Sequence, residues 1–285
     1  MRLTRSFSIF LALTLVPVLA WADINPGLYQ EYQELLTKYL TEQTLPGNGL
    51  VSAFDYDAAL ADDELAKTLA SQRQALEQFN PETLEGREES VAFWVNAYNF
   101  FMLAQILTER PDGELISSVW DYGGRLNPFV DSIFERKKFV VGGKRFSLDG
   151  IEKGILLGKE YQSRGWKDAR VHFVVNCASV GCPPLRKQIY TADNLEAMLE
   201  ENTRRAFNTP YHLRISGDTL YGTELFKWYE QDFVEAAGSV RDFIDQWAND
   251  EVAVEVSRTS TLEYIDYDWS LNRPSNFSTG NFGQE

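Results

Sequence analysis

The chain holds two cysteines and two histidines, so thiol or imidazole chemistry has few places to reside. Cys177 and Cys182 lie in the run Asn176-Cys-Ala-Ser-Val-Gly-Cys-Pro-Pro184. In an oxidising compartment a C-x4-C pair is first a disulfide candidate. So small a closed loop would gain about 2 kcal/mol from the crosslink. Left reduced, a cysteine here becomes a nucleophile if its pKa is lowered and a base stands within hydrogen-bond reach. The base would be His172 or His212. Five extended residues span about 16 Å, so His172 meets Cys177 only if the chain doubles back after Asn176. Cys177 is preferred to Cys182, which is pinned between Gly181 and Pro183. Against the thiol reading, no long helix starts at the cysteines, because Pro183-Pro184 follows and the next helix waits until Thr191. Two Cys and two His could also form a tetrahedral zinc site, but C-x4-C without a clustered His pair is a weak ligand pattern. No metal and no cofactor is expected.

A second set of candidates is polar. Asn96 and Asn99 are i,i+3 on one face of a segment that is otherwise apolar nearly all round, from Val91 to Leu103. A buried amide without a partner costs about 1–3 kcal/mol, so both must be hydrogen-bonded. They either tie down the irregular stretch 114–132 or line a site and orient a substrate. Asn176 falls on the same side of the 170–176 run as His172 and joins them as a substrate-contact candidate. Glu152 lies one turn into a helix opened by Ser147, where a carboxylate suits the helix dipole. In a site, it could instead orient a histidine or act as a base. The pair Trp228-Tyr229 and the corner Tyr267-Asp268-Trp269 are packing or turn residues, or platforms for sugar rings.

The elements that would position these groups follow from periodicity and punctuation. Helices are expected over about 26–43, from Asp62 or Asp63 to Phe79, from Glu88 to Arg110, and from Leu148 to Leu157. Others follow over 191–207, 223–236 and 239–248. Gly142-Gly143 predicts a hairpin across 137–146, and Ser216-Gly217-Asp218 a second one. Leu50–Tyr56 reads as a short strand. Arg170–Asn176, apolar on both faces, reads as a central buried strand. Val252–Val256 and Leu262–Tyr267 close as strands. Helices and strands mix without strict alternation, which argues for an α+β fold: a helical N-terminal layer packed on a mixed or antiparallel sheet.

Composition bounds the function. With 285 residues, 44% hydrophobic and 24% charged, the chain reads as globular, in one domain. A formal charge of −15 argues against nucleic acid as a partner, which needs a basic face. The N-terminus has the pattern of a secretory leader: Arg2 and Arg5, an uncharged apolar run from Phe7 to Ala20, and a small-x-small site at Ala20-Trp-Ala22. Cleavage after Ala22 would leave a domain over 23–272 and a polar tail over 273–285. No membrane span is expected after cleavage, and the location would be periplasmic or secreted.

Five stretches, taken in order, resemble one family. They are Ala92-Phe-Trp-Val-Asn-Ala-Tyr-Asn99, Ser147-Leu-Asp-Gly-Ile-Glu-Lys-Gly-Ile155, Arg170 to Leu185, Leu225 to Phe233, and Tyr264 to Asn272. Together they resemble the domain of unknown function 547 (DUF547) family, of the exported bacterial kind. The resemblance spans most of 50–272 and implies no particular reaction. Relatives often carry His at the position of Lys153, so a mechanism needing a third histidine there has no support in this chain. Three functions remain open. The first is a non-catalytic envelope or binding domain with a structural Cys177–Cys182 pair, its partner an unknown envelope component or a small-molecule or peptide ligand. The second is a thiol-dependent hydrolase or acyltransferase using Cys177 with a histidine base. The third is a carboxylate-dependent enzyme acting on glycans through Glu152, with Asn96 and Asn99.

Overall fold

A computed structural model describes residues 25–124 and 130–277. The expected leader with its cut after Ala22, Pro128, and tail residues 278–285 lie outside the described residues. The fold is α+β: helices predominate, and among the described residues the strands gather in three small sheets.

The organising element is the helix Arg87–Thr108. Every residue from Ser90 to Leu107 is buried, because its sequence has no polar stripe to offer to water. By length and composition it could cross a bilayer, but the protein itself encloses it. The helices Gln30–Tyr39 and Leu65–Gln78 form the N-terminal layer against it. The first helix is shorter than expected. It ends at Tyr39, and the chain continues directly as strand β1 (Leu40–Thr44), antiparallel to β2 (Leu50–Phe54). The turn between them uses Gly47 at φ +76°, a conformation open to glycine at little cost.

Strands β3 (Phe139–Val141) and β4 (Lys144–Phe146) form the expected hairpin, with Gly142 and Gly143 both at positive φ. Strands β5 (Leu213–Ser216) and β6 (Thr219–Thr223) pair antiparallel, and β7 (Thr261–Ile265) adds in parallel to β6. Residues 252–256, expected as a strand, lie in the helix Asp250–Ser257. Asn249 caps it by accepting from the Val252 N–H, a local signal that outweighs the β-branched valines.

The other correction matters for the site. Residues Ala169–Phe173 form a buried 3₁₀ turn, not a central strand. Apolar residues on both faces mark complete burial here, which a turn satisfies as well as a strand. The segment runs between two hydrophobic clusters. Val171 and Val174 pack with the central helix. Phe173 joins a second cluster with Phe207, Phe226, Phe233 and Phe243.

Candidate functional site

A buried turn must place its backbone polar groups somewhere. Here side-chain amides do the work of a β-ladder. Asn99 donates to the Val174 carbonyl at 2.9 Å and accepts from the Asn176 N–H at 2.8 Å. Asn202 donates to the carbonyls of Phe173 and Pro184. Asn96 brackets Tyr190 in the same way, through its N–H and its carbonyl. Asn96 and Asn99 are therefore buried ties, to 174–176 and to Tyr190. The stretch 114–132, proposed above as their target, is not what these bonds hold. Asn176 is also buried, its side chain donating to the Pro183 carbonyl and accepting from the Ala178 N–H. None of the three asparagines borders the cavity described next.

The turn presents His172 to two carboxylates. Its Nε2 lies 2.9 Å from Asp232 Oδ2, and its Nδ1 lies 3.6 Å from Glu152 Oε1, too long for a hydrogen bond. Its ring stacks on Tyr229, with centroids 4.0 Å apart. Behind Asp232, Lys167 Nζ completes an ion pair at 2.7 Å. Glu152 comes from a helix that begins at Ser147, whose hydroxyl accepts from the Gly150 N–H. That helix widens at Glu152 into a π turn, closed by Leu157 N–H to the Glu152 carbonyl at 2.9 Å. Single π turns are common at functional positions.

Glu152, His172, Cys177 and Cys182 all border one cavity of about 670 Å³. Its wall is aromatic. Trp228 stacks on Trp269 at 5.6 Å, and Tyr267 lies 4.9 Å from Trp228 and 4.6 Å from Trp269. Asp149, Glu135 and Lys153 add charge around it. A volume of this size with convergent polar groups suits a small organic ligand.

The electrostatics separate the two histidines. Burial opposes a charge on His172, but the hydrogen bond to Asp232 and the nearby Glu152 carboxylate outweigh it and raise its pKa above the ordinary value. Asp232 is likewise opposed by burial and still held low by His172 and Lys167. Burial, and then the Glu152 charge, push the Tyr229 phenol far up, so it stays protonated. His212 does not border the cavity. It is buried beside Phe173, with Nδ1 2.9 Å from Thr209 Oγ1, and burial alone pulls its pKa down to about 4.

Cys177 and Cys182 are joined as a disulfide. With both sulfurs bonded, neither serves as a nucleophile in this state. Around them stand Tyr267 and Ser179, whose hydroxyls lie within 3.2 Å of the sulfurs. Ala178, between Asn176 and Ser179, takes a positive φ of 62°, costly for a residue with a Cβ.

Sequence reasoning missed Asp232 and the alignment of Tyr229, Tyr267, Trp228 and Trp269 around the cavity. All five lie in the stretches 225–233 and 264–272 singled out above, but spacing alone did not connect those stretches to Glu152.

The fold and the cavity together define an α+β domain that sets a carboxylate–histidine–carboxylate line against an aromatic wall. Residues 81–206 match the family described as "Protein of unknown function, DUF547", and over that span the chain is similar to that family. The matched span includes Asn96, Asn99, Glu152, His172 and both cysteines, whereas Asp232 and most of the aromatic wall lie beyond it. Comparison with curated proteins and with solved structures returned no match.

Proposed function

We propose that the protein is exported and acts on a saccharide of the cell envelope, with Glu152 as the general acid–base group. The observation that carries this reading is the line Glu152–His172–Asp232, its histidine fully buried and one end a carboxylate on an aromatic-walled cavity. His172 is held from one side by Asp232 and faces Glu152 with the other nitrogen. At 3.6 Å it acts on the Glu152 carboxylate through charge rather than through a hydrogen bond, and does so when its ring is protonated. A carboxylate so placed can hand a proton to a leaving oxygen or take one from water, a contribution of about 10²–10⁴ in rate. Trp228 and Trp269 offer flat apolar faces to sugar rings, and the charged rim can bind hydroxyls. The closed disulfide favours this reading over a thiol hydrolase.

The test is a fluorescence titration of the tryptophans with soluble envelope oligosaccharides, run beside an assay for newly formed reducing ends. Trp228→Ala should weaken binding by about tenfold. Glu152→Gln should leave binding within about threefold and lower turnover by at least a hundredfold. Binding without turnover in the unaltered protein would leave a saccharide-binding domain and remove the acid–base role. Absence of binding would overturn the whole proposal.

A further inference from the structure

The Cys177–Cys182 bond differs from a simple staple in three respects. The loop it closes is already held without it. Val180 and Gly181 N–H groups donate to the Ser270 and Asp268 carbonyls at 2.8 Å, and the Asn272 N–H donates to the Ala178 carbonyl. The Asn176 side chain fixes the loop at its base. Second, both sulfurs border the cavity and they are unequal, Cys177 being partly exposed and Cys182 buried. Third, donors surround Cys182 Sγ. The Cys177 N–H, 2.9 Å away, bonds Cys182 Sγ and not Cys177 Sγ, while the Tyr267 and Ser179 hydroxyls, at 3.1 and 3.2 Å, also reach Cys177 Sγ at 3.2 Å. A neutral disulfide gains little from such donors. A thiolate gains much more, because hydrogen bonds to a charged acceptor are the stronger kind. They also lower the pKa of the thiol that carries them.

We infer that Cys177–Cys182 is a thiol–disulfide exchange site, with Cys177 as the attacked sulfur and Cys182 as the leaving thiolate. The reductant is a dithiol that enters the cavity. One of its thiolates attacks Cys177 Sγ. A new S–S bond forms there, the Cys177–Cys182 bond breaks, and the electron pair goes to Cys182 Sγ, where the three donors receive it. The second thiolate of the dithiol then attacks the dithiol's own sulfur in the mixed disulfide. The dithiol closes into its disulfide, and Cys177 is released as a thiolate. In sum the protein gains two electrons and two protons, and the dithiol loses them. A leaving thiolate of low pKa departs faster, which is what the donor set provides. The inference does not depend on the saccharide reading, and its test uses no saccharide.

The experiment follows reduction of the folded, oxidised full chain by dithiothreitol at pH 7, trapping thiols with iodoacetamide and reading them by mass spectrometry. Circular dichroism reports whether the fold persists. Reduction should go to completion with the fold intact. Tyr267→Phe should slow it by up to about tenfold, and Ser179→Ala by less, with the cysteines unchanged. In Cys177→Ala, or in Cys177→Ser should that variant not fold, the Cys182 thiolate absorbance near 240 nm should titrate below the ordinary value of about 8.5. Adding Tyr267→Phe should move it back up. Reduction only after unfolding in denaturant, or a Cys182 thiol titrating at or above 8.5, overturns the inference.

Discussion

The two histidines should titrate on opposite sides of the ordinary value, for reasons visible in their hydrogen bonds. The Thr209 hydroxyl donates its proton to the Ala206 carbonyl at 2.9 Å. Its oxygen is then left to accept from His212, so Nδ1 carries the hydrogen and Nε2 is a bare acceptor. That Nε2 is buried without a partner among the described residues. Charging His212 would place an N–H there with nothing to receive it, and its pKa falls from 6.5 to about 4. A gap of that size is worth about 3 kcal/mol. Below 6.5 the unfolded chain takes up a proton that the folded one refuses. Stability therefore falls as pH drops from 6.5 towards 4, by about 2 kcal/mol at pH 5. His172 has the opposite sign. Its raised pKa makes a contribution that is complete below 6.5 and is lost as pH rises through the folded value. With only two histidines in the chain, two imidazole resonances followed by NMR against pH settle the matter. His212→Asn identifies each resonance, and its urea-unfolding profile should lose the decline between pH 6.5 and 5. Two midpoints both close to 6.5 would refute the argument, because neither the buried Nε2 nor the paired carboxylates would then be felt.

Two other outcomes are expected, one from the structure and one from the sequence. Asn99→Ala should cost about 3 kcal/mol in urea unfolding, since it strands both the Val174 carbonyl and the Asn176 N–H in the core; a loss below 1 kcal/mol would mean that water or another group replaces the amide. N-terminal sequencing of the exported protein should read from Asp23, and retention of Met1 in that form would remove the leader from the account.

The parts of the fold legible in the sequence are those set by local rules. Gly142-Gly143 marks the hairpin of β3 and β4, and the all-apolar run after Glu89 marks the core helix. The stretch 170–176 was not legible in the same way. Period-2 reasoning finds apolar residues on both sides and infers a strand, but the partners of this backbone are the side chains of Asn99 and Asn202, from helices far away in sequence. Glu152, His172 and Cys177 were recognisable by residue type. Their meeting with Asp232, Tyr229 and Tyr267 was not, since 60 residues separate His172 from Asp232 and no local pattern encodes that approach.

The misread segment and the candidate site have one cause. On an extended strand, His172, Val174 and Asn176 would share a face. In the observed turn neighbouring residues face different environments instead. Val174 enters the main core, Phe173 enters the second, and His172 is left at the seam where Glu152 and Asp232 converge. The cavity borders that seam. The amide bracket of Asn99 holds the chain just after the turn, at the Val174 carbonyl and the Asn176 N–H, backbone groups a neighbouring strand would need. Asn99 therefore acts on the site without touching the cavity. Its loss should displace His172 from the two carboxylates, so the His172 titration should move back towards 6.5 in Asn99→Ala even where the protein stays folded.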